Sequence, residues 1–240
     1  MTSNSGRSRG RKEKENKKAF RKLTNDYLCA LDQFCRRAQN SDNVLENLKP
    51  FSKFSKNDLK LDITYRKAES FDETTSEEIF SVFEQNMRDM YEKSAVGWIK
   101  REKWDELFDN DARYVLARDD ANMLHGFVHL RFVVEDNQDV LYCYEIQVNK
   151  LSQSKGLGTF LMKLLELIAF YNGFSKIMLT VFDINEEAKK FYKTKLGYVL
   201  DPFSPTAQDE ECDYEILSKS IKQNPKVEKP QLPSGAILSS

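Results

Sequence analysis

The 240-residue sequence predicts an α/β domain, in which a mixed central β-sheet is flanked by α-helices. Between about residue 61 and residue 219, short runs rich in β-branched and aromatic residues alternate with longer stretches whose apolar residues recur at helical spacing. The order is one strand, two helices, three strands, a helix, a strand, a helix and two strands. The composition, 40% hydrophobic and 31% charged, is that of a globular protein rather than of a wholly disordered chain.

The first half of this domain begins with a strand at Leu61–Tyr65. An amphipathic helix follows, and a second, short helix comes after Trp98. The first helix spans Ser76–Lys93, because apolar residues lie along one of its sides at Ile79, Val82, Phe83, Met87 and Met90. Three strands are then predicted at Tyr114–Arg118, Leu124–Val134 and Val140–Val148, with a turn at Asp136–Asp139.

The second half of the domain begins with an apolar helix. Its apolar positions repeat at helical spacing at Leu157, Phe160, Leu161, Leu164, Leu165 and Ile168. A buried strand over Lys176–Phe182 and a helix over Glu186–Leu196 follow, and Gly197 ends that helix. Two strands at Tyr198–Leu200 and Tyr214–Leu217 complete the sheet.

Three segments lie outside the domain of residues 61–219. Residues 1–20 are predicted to be a basic, disordered arm, and residues 220–240, which contain three prolines, a disordered tail. Residues 21–60 are predicted to be a helical segment that packs on the domain, followed by a linker around Pro50. Residues 1–23 hold nine basic and two acidic side chains, a net charge of +7, whereas the remainder carries a net charge of −8. The arm is a solvated tail, a nuclear-localisation signal or a nucleic-acid contact, and the acidic body favours a basic ligand.

Several classes of protein are excluded by the sequence. No run approaches the roughly 18 uncharged apolar residues that a membrane helix needs, and the first residues lack the apolar region of a signal peptide. Four cysteines without CxxC spacing and two histidines favour neither a metal site nor a disulfide framework. The sequence therefore predicts a soluble intracellular protein that holds no metal.

The most informative segment is a loop between a strand that ends at Val148 and the apolar helix. Gly156 and Gly158 lie at this junction, where residues without Cβ let successive backbone N–H groups converge on one point. The helix that begins there adds the positive end of its dipole, so the loop suits a pyrophosphate. A plain tight turn would also explain two glycines with this spacing.

The wider pattern decides between these interpretations. Gln153-x-x-Gly156-x-Gly158 resembles the pyrophosphate loop, Q/R-x-x-G-x-G/A, of the GCN5-related N-acetyltransferase (GNAT) superfamily. Together with four further segments, residues 20 to 219 resemble the NatD type of N-alpha-acetyltransferase. Those segments are Leu141–Glu145, Met90–Glu92, Leu179–Phe182 and Cys212–Ser218.

The resemblance implies a GNAT fold with an extra N-terminal helical segment, and acetyl-coenzyme A (acetyl-CoA) as the cosubstrate. It further implies transfer of acetyl to the α-amino group of histones 4 and 2A, whose tails begin Ser-Gly-Arg-Gly. The expected protein is a monomer of the nucleus and cytoplasm that contacts histone tails and, through its basic arm, nucleosomes or nucleic acid. Two alternatives stay open: an acetyltransferase for a lysine or a small amine, and a non-catalytic chromatin adaptor.

The resemblance also implies roles for individual residues. Glu145 is the expected general base, and Tyr142 or Tyr144 the acid that protonates the leaving thiolate. Strand alternation places Glu145 on the side opposite both tyrosines unless a bulge re-aims it. The cofactor-binding residues implied are Ile146, Gln147, Val148, Gln153, Ser154, Lys155, Gly156, Leu157, Gly158, Thr159 and Asn185. Those implied for the substrate are Tyr91, Val133, Val134, Glu135, Tyr144, Thr180 and Tyr214.

Some of these residues have plainer interpretations, and two positions depart from the family pattern. Asn185 can equally be the N-cap of the helix that follows it, and His129 is predicted to be a core histidine. Glu135, with Asp136, is expected to pair with the substrate arginine. Val96 and Val133 stand where family members carry Trp and Asp, which weakens the expectation of histone recognition but leaves the catalytic residues in place.

Overall fold

The computed structural model describes residues 5–233. A mixed eight-stranded sheet has the strand order β1-β2-β3-β4-β5-β6-β8-β7, and helices cover both of its faces. The helices are α1 (Ser5–Gln39), α2 (Glu73–Lys93), α3 (Lys100–Leu107), α4 (Leu157–Asn172) and α5 (Glu186–Lys190). The strands are β1 (Lys53–Lys56), β2 (Leu59–Lys67), β3 (Arg113–Arg118), β4 (Leu124–Glu135), β5 (Gln138–Val148), β6 (Lys176–Phe182), β7 (Val199–Leu200) and β8 (Tyr214–Ser220).

The pairing of β5 with β6 is parallel, and all other neighbouring strands in the sheet run antiparallel. β5 and β6 pair only from Val140 opposite Lys176 to Cys143 opposite Leu179. Beyond these residues the two strands separate, and the backbone of β5 from Tyr144 to Val148 has no partner on the β6 side. A gap therefore opens in the middle of the sheet at the carboxyl ends of β5 and β6.

Two apolar cores hold the helices to the sheet. One face packs against α1 and α4, and its buried residues include Phe34, Val128, Leu141 and Leu161. The other face packs against α2 and α3. The predicted α/β class is thus confirmed, as is each strand and helix predicted within residues 61–219. The helix predicted over Glu186–Leu196 consists of α5 and a π-helical turn over Phe191–Lys195. Within residues 5–233, no helix combines the length and apolarity that crossing a membrane requires.

The N-terminal segment differs from the prediction in two ways. Residues 5–20, expected to be disordered, are the start of α1, since Lys, Arg and Glu favour the helix and no proline interrupts it. The predicted linker contains β1, which pairs with β2. A turn at Asn57-Asp58, where both residues have positive φ, connects the two strands. A four-residue strand with one buried side chain, Phe54, carries too little alternation to be recognised.

The C-terminal segment also differs from the prediction. Residues 221–233 form neither helix nor strand, as their prolines require, but they pack against the body. Val227 fills an apolar site next to Phe34 and Gly173, and Lys229 forms an ion pair with the buried Asp139. This segment is therefore an ordered strap as far as residue 233, whereas residues 1–4 and 234–240 lie outside the described residues.

Candidate active site

A β-bulge in β5 sets the geometry of the site. His129 of β4 pairs with Glu145, but the next residue, Leu130, pairs with Cys143, so Tyr144 is an additional residue on β5. Tyr144 stacks on the imidazole of His129, with ring centroids 5.0 Å apart. The bulge interrupts strand alternation at this point.

The bulge brings the predicted base and the two tyrosines to one face of the sheet. On both sides of the bulge, apolar side chains of β5 pack in the core beneath α1 and α4, namely Leu141, Cys143, Ile146 and Val148. Because odd-numbered residues face this core before the bulge and even-numbered residues after it, Glu145 shares the opposite face with Tyr142 and Tyr144. Plain strand alternation would direct Glu145 away from both tyrosines, but the bulge re-aims it, which is the exception that the sequence-based prediction included.

A cavity of about 460 Å³ lies at the gap between β5 and β6. Most of the predicted catalytic and substrate residues line it, as do three of those predicted for the cofactor. The lining residues among them are Tyr91, Glu135, Tyr142, Tyr144, Glu145, Ile146, Gln147, Thr180, Asn185 and Tyr214. Val133 does not line the cavity, and Val134 packs in the core on the opposite face, because residues 128, 130, 132 and 134 of β4 alternate toward α1.

Glu145 is half-buried, and its burial raises the pKa of its carboxyl group to about 7. Glu106 nearby adds to this increase, whereas a hydrogen bond from Gln147 opposes it. A carboxylate with a pKa near the operating pH is suited to accept a proton and release it again. Glu145 can therefore serve as a general base at neutral pH.

A chain of amide side chains holds Glu145 in place. Gln147 Nε2 donates to Glu145 Oε2 at 2.8 Å, and Asn86 Nδ2 donates to Gln147 Oε1 at 3.0 Å. Asn86 belongs to α2 and also donates to the carbonyl of Val148 at 3.1 Å. Sequence reasoning missed Asn86, since a polar residue on a helix gives no sign that it meets a strand 61 residues later.

Five tyrosines line the cavity, namely Tyr91, Tyr142, Tyr144, Tyr192 and Tyr214. The hydroxyls of Tyr142 and Thr180 share a hydrogen bond at 2.7 Å, and burial raises the pKa of Tyr142 to about 12. Burial also raises the pKa of Tyr192, a cavity residue that the sequence analysis did not identify. The spacing of Asn185, Ala188 and Tyr192 could have identified it, because this spacing places all three residues on one side of the helical segment that begins at Glu186.

His129 confirms the prediction of a core histidine. It is buried between the rings of Tyr114 and Tyr144, and burial lowers its pKa to about 3. The imidazole is therefore neutral at physiological pH. Glu145 is better placed than His129 to act as the base, because it lines the cavity directly.

The glycine loop lies at the N-terminus of α4. Ser154 and Gly156 have φ of 60° and 93°, and the helix begins at Leu157. Thr159, in the first turn, has a buried hydroxyl oxygen without a hydrogen-bond partner among the described residues. The loop thus offers backbone N–H groups and a helix N-terminus to an anion.

Residues 76–198 match the model of the acetyltransferase (GNAT) family. The chain belongs to the GNAT acetyltransferase family. Solved structures share its fold: a GNAT acetyltransferase from Staphylococcus aureus Mu50 has 14% sequence identity and a TM-score of 0.51, and covers 67% of this chain and 99% of its own. A GNAT acetyltransferase from Listeria monocytogenes has 15% identity and a TM-score of 0.50, and covers 70% of this chain and 99% of its own.

GNAT enzymes use acetyl-CoA, and the residues of this GNAT protein fit that cosubstrate. The loop from Gln153 to Thr159 suits its pyrophosphate, and the backbone of Ile146 and Gln147, which has no strand partner on the β6 side, suits the amides of its pantetheine arm. The carbonyl oxygen of Val148 already accepts from the side chains of Asn86 and Gln153. Asn185 lines the cavity and also caps α5, since its side chain accepts from the N–H of Ala188 at 3.1 Å. Within residues 5–233 no group of three or more His, Cys, Asp or Glu side chains is placed to hold a metal ion.

The loop gives a prediction about cofactor affinity. Gly156→Val places a β-branched residue at a φ of 93° and a Cβ within 3.6 Å of Lys56. We expect the KM for acetyl-CoA to rise at least about tenfold, which corresponds to about 1.4 kcal/mol. Gly197→Val is the matched control, because Gly197 has a φ of 74° but open space around it. Unchanged cofactor kinetics in folded Gly156→Val would contradict the assignment of the loop.

The raised pKa of Glu145 gives a prediction about stability. Because the folded state holds this proton up to about pH 7 and the unfolded chain releases it near 4.5, the free energy of unfolding falls as pH rises between these values. Glu145→Gln should remove this fall, on the order of 2 kcal/mol, so the variant gains stability relative to wild type between pH 5 and pH 8. Urea unfolding of both proteins at pH 5 and pH 8 measures this difference, and Glu187→Gln, which replaces an exposed carboxyl group, is the control. An identical pH dependence in wild type and Glu145→Gln would show that the carboxyl group is not perturbed.

Proposed function

We propose that this GNAT acetyltransferase transfers acetyl from acetyl-CoA to the α-amino group of histones 4 and 2A, whose N-termini begin Ser-Gly-Arg-Gly. The observation that carries the proposal is Glu145, a carboxyl group with a pKa near 7 in a cavity that also contains Glu106 and Glu135. The resemblance of residues 20 to 219 to NatD-type enzymes supports the choice of substrate.

The α-amino target fits the strength of this base. An α-amino group has a pKa of about 8, so roughly a fifth to a third of it is neutral at about pH 7.4, against about 0.1% of a lysine side chain. A base with a pKa of about 7 can take the remaining proton from an α-amine but competes poorly for that of a lysine. Glu145 therefore favours an N-terminus over a lysine.

Carboxylates at the cavity favour a basic peptide. Glu106 and Glu135 both line it, and Glu106 is paired at 3.0 Å with Lys103, which also lines the cavity, so Glu135 is the carboxylate left for a basic peptide. Burial, followed by repulsion from Asp136, raises the pKa of Glu135, and an arginine would relieve that repulsion. A guanidinium can bind such a carboxylate in two parallel hydrogen bonds. The third residue of Ser-Gly-Arg-Gly supplies that group.

The walls of the cavity suit a short N-terminus. Tyr91 lies edge-on to Phe182, with ring centroids 4.9 Å apart, and Tyr214 lines the cavity with it. Val96 is 57% exposed and lines the cavity where family members carry a tryptophan. This side of the cavity therefore offers a peptide a smaller apolar contact. We propose that the carboxylates and Tyr91 compensate for the missing aromatic contact.

Intact-mass measurement tests the proposal. A peptide that begins Ser-Gly-Arg-Gly and contains internal lysines, incubated with enzyme and acetyl-CoA, should gain one acetyl group. The same peptide with a blocked α-amine should gain none. Acetylation of the blocked peptide would instead show a lysine acetyltransferase, and failure to bind acetyl-CoA would show a non-catalytic adaptor.

We also propose that the enzyme acts as a monomer in the nucleus and cytoplasm and that its basic N-terminal segment contacts nucleosomes. The support is the charge of residues 1–23, of which Lys18, Arg21 and Lys22 are exposed on α1. Removal of residues 1–20 should weaken nucleosome binding in a gel-shift assay and leave turnover of a short peptide unchanged. Loss of peptide turnover would place this segment in the active site.

A further inference from the structure

The hairpin formed by β1 and β2 docks on the glycine loop. At its tip, Asn57 Nδ2 donates to the carbonyl oxygen of Lys155 at 3.0 Å. At its base, the ring of Phe54 packs against Phe160 of α4, with centroids 5.2 Å apart. Two contacts of different chemistry therefore fix the hairpin against the first turn of α4.

Between these two contacts lies Lys56. It occupies the same face of β1 as Phe54, two residues earlier, so its side chain is directed toward α4. A Cβ built on Gly156 would lie 3.6 Å from Lys56 Cδ and 3.7 Å from its Nζ. The ammonium group is thus beside the backbone of the glycine loop.

The charge of Lys56 has no counterion among the described side chains. It forms neither an ion pair nor a side-chain hydrogen bond there, although Lys53 on the same strand pairs with Asp62 at 2.6 Å. The N-terminus of α4 carries the positive end of a helix dipole, which repels a cation. Lys56 is exposed, so its ammonium can turn toward an anion that lies between it and the helix.

We propose that Lys56 binds the diphosphate of acetyl-CoA from the side opposite the helix N-terminus. The backbone N–H groups of the loop and the Lys56 ammonium then enclose the same phosphate oxygens. Lys56 lies outside residues 76–198, which match the family model, so the N-terminal hairpin adds this ligand to the GNAT site. The inference depends on acetyl-CoA as the cosubstrate and is independent of the histone proposal.

Calorimetric titration of the full-length protein with coenzyme A tests the proposal. Lys56→Ala should raise the Kd about five- to tenfold, and Lys56→Arg, which keeps the charge, should restore most of the affinity. Lys60→Ala is the matched control, because Lys60 lies on the same hairpin but on the opposite face from Lys56. A Kd within about twofold of wild type is expected for it.

A second ligand shows which phosphate group of coenzyme A Lys56 contacts. With 3′-dephospho-coenzyme A, Lys56→Ala should lose affinity by the same factor as with coenzyme A. The loss should shrink at about 0.5 M salt, where the Debye length is about 4 Å. An unchanged Kd, or a loss confined to coenzyme A, would overturn the proposal; the second result would assign Lys56 to the 3′-phosphate. Because no peptide is present, failure of the histone proposal leaves these results unaffected.

Discussion

Glu145→Gln is expected to lower kcat by about 10²- to 10⁴-fold at neutral pH, while the Kd for acetyl-CoA changes little. The amide keeps the size of the carboxyl group but cannot accept a proton from the attacking amine. Its contact with Gln147 can persist, because the oxygen of the introduced amide can accept from Gln147 Nε2 as the carboxylate does. The loss should therefore appear in turnover rather than in cofactor binding.

The pH dependence of this loss separates a base from a carboxylate that only binds the substrate. Wild-type activity should rise as pH passes about 7, where Glu145 loses its proton. Since the α-amine has a pKa of about 8, more of it arrives neutral as the pH increases toward about 9. The difference between Glu145→Gln and wild type should then shrink. Steady-state kinetics from pH 6 to pH 9 measure this directly.

Glu106→Gln is the informative comparison. Glu106 lines the same cavity and raises the pKa of Glu145, but it lies on α3 and has an exposed side chain. We expect this variant to raise the KM for a basic peptide and to shift the pH profile to lower pH, with a small change in maximal kcat.

One outcome would exclude Glu145 as the base. If Glu145→Gln kept more than about a third of wild-type turnover at pH 7, the loss would be far smaller than a general base contributes.

The sequence predicted those parts of the structure that local patterns determine. Strand and helix periodicity located each element of residues 61–219, and the spacing of Gly156 and Gly158 located the loop before α4. These signals are local, because the pleat, the helical turn and the positive φ of Gly156 each act on neighbouring residues. The orientation of the Glu145 side chain, by contrast, is not determined by its neighbours in the sequence. It depends on the register of β5 against β4, where one additional residue exchanges the two faces.

The missed contacts share this dependence on distant partners. Asn86, on α2, reaches Gln147 only after the helix has packed across β5, and Val134 faces the core rather than the cavity because of its place in β4. The prediction of a disordered tail failed for residues 221–233 for the same reason. Their composition resembles a disordered tail, yet Val227 and Lys229 each meet a complementary site on the body.

Tyr192 is a further candidate, beside Tyr142 and Tyr144, for the acid that protonates the leaving thiolate, because all three line the cavity. Tyr142 shares its hydroxyl with Thr180, whereas Tyr192 follows Phe191, whose ring lies 3.6 Å from a Cβ built on Gly158 of the cofactor loop. Tyr192 lines the same cavity as Glu145. Burial raises its pKa, so the phenol is protonated at neutral pH and can share its proton with the sulfur as the carbon–sulfur bond breaks.

Tyr192→Phe is therefore expected to lower kcat by about 10²-fold with little change in the KM for the peptide, since general-acid contributions are typically of this size or larger. The substitution keeps the ring that packs against Phe191 and Tyr198, so the fold should tolerate the change. Tyr142→Phe is the control, and it should mainly raise the peptide KM, because the bond to Thr180 is lost. Single-turnover acetylation of a Ser-Gly-Arg-Gly peptide measures the chemical step free of product release. A full rate in Tyr192→Phe and a large loss in Tyr142→Phe would instead assign the acid to Tyr142, one of the two tyrosines that the resemblance implies.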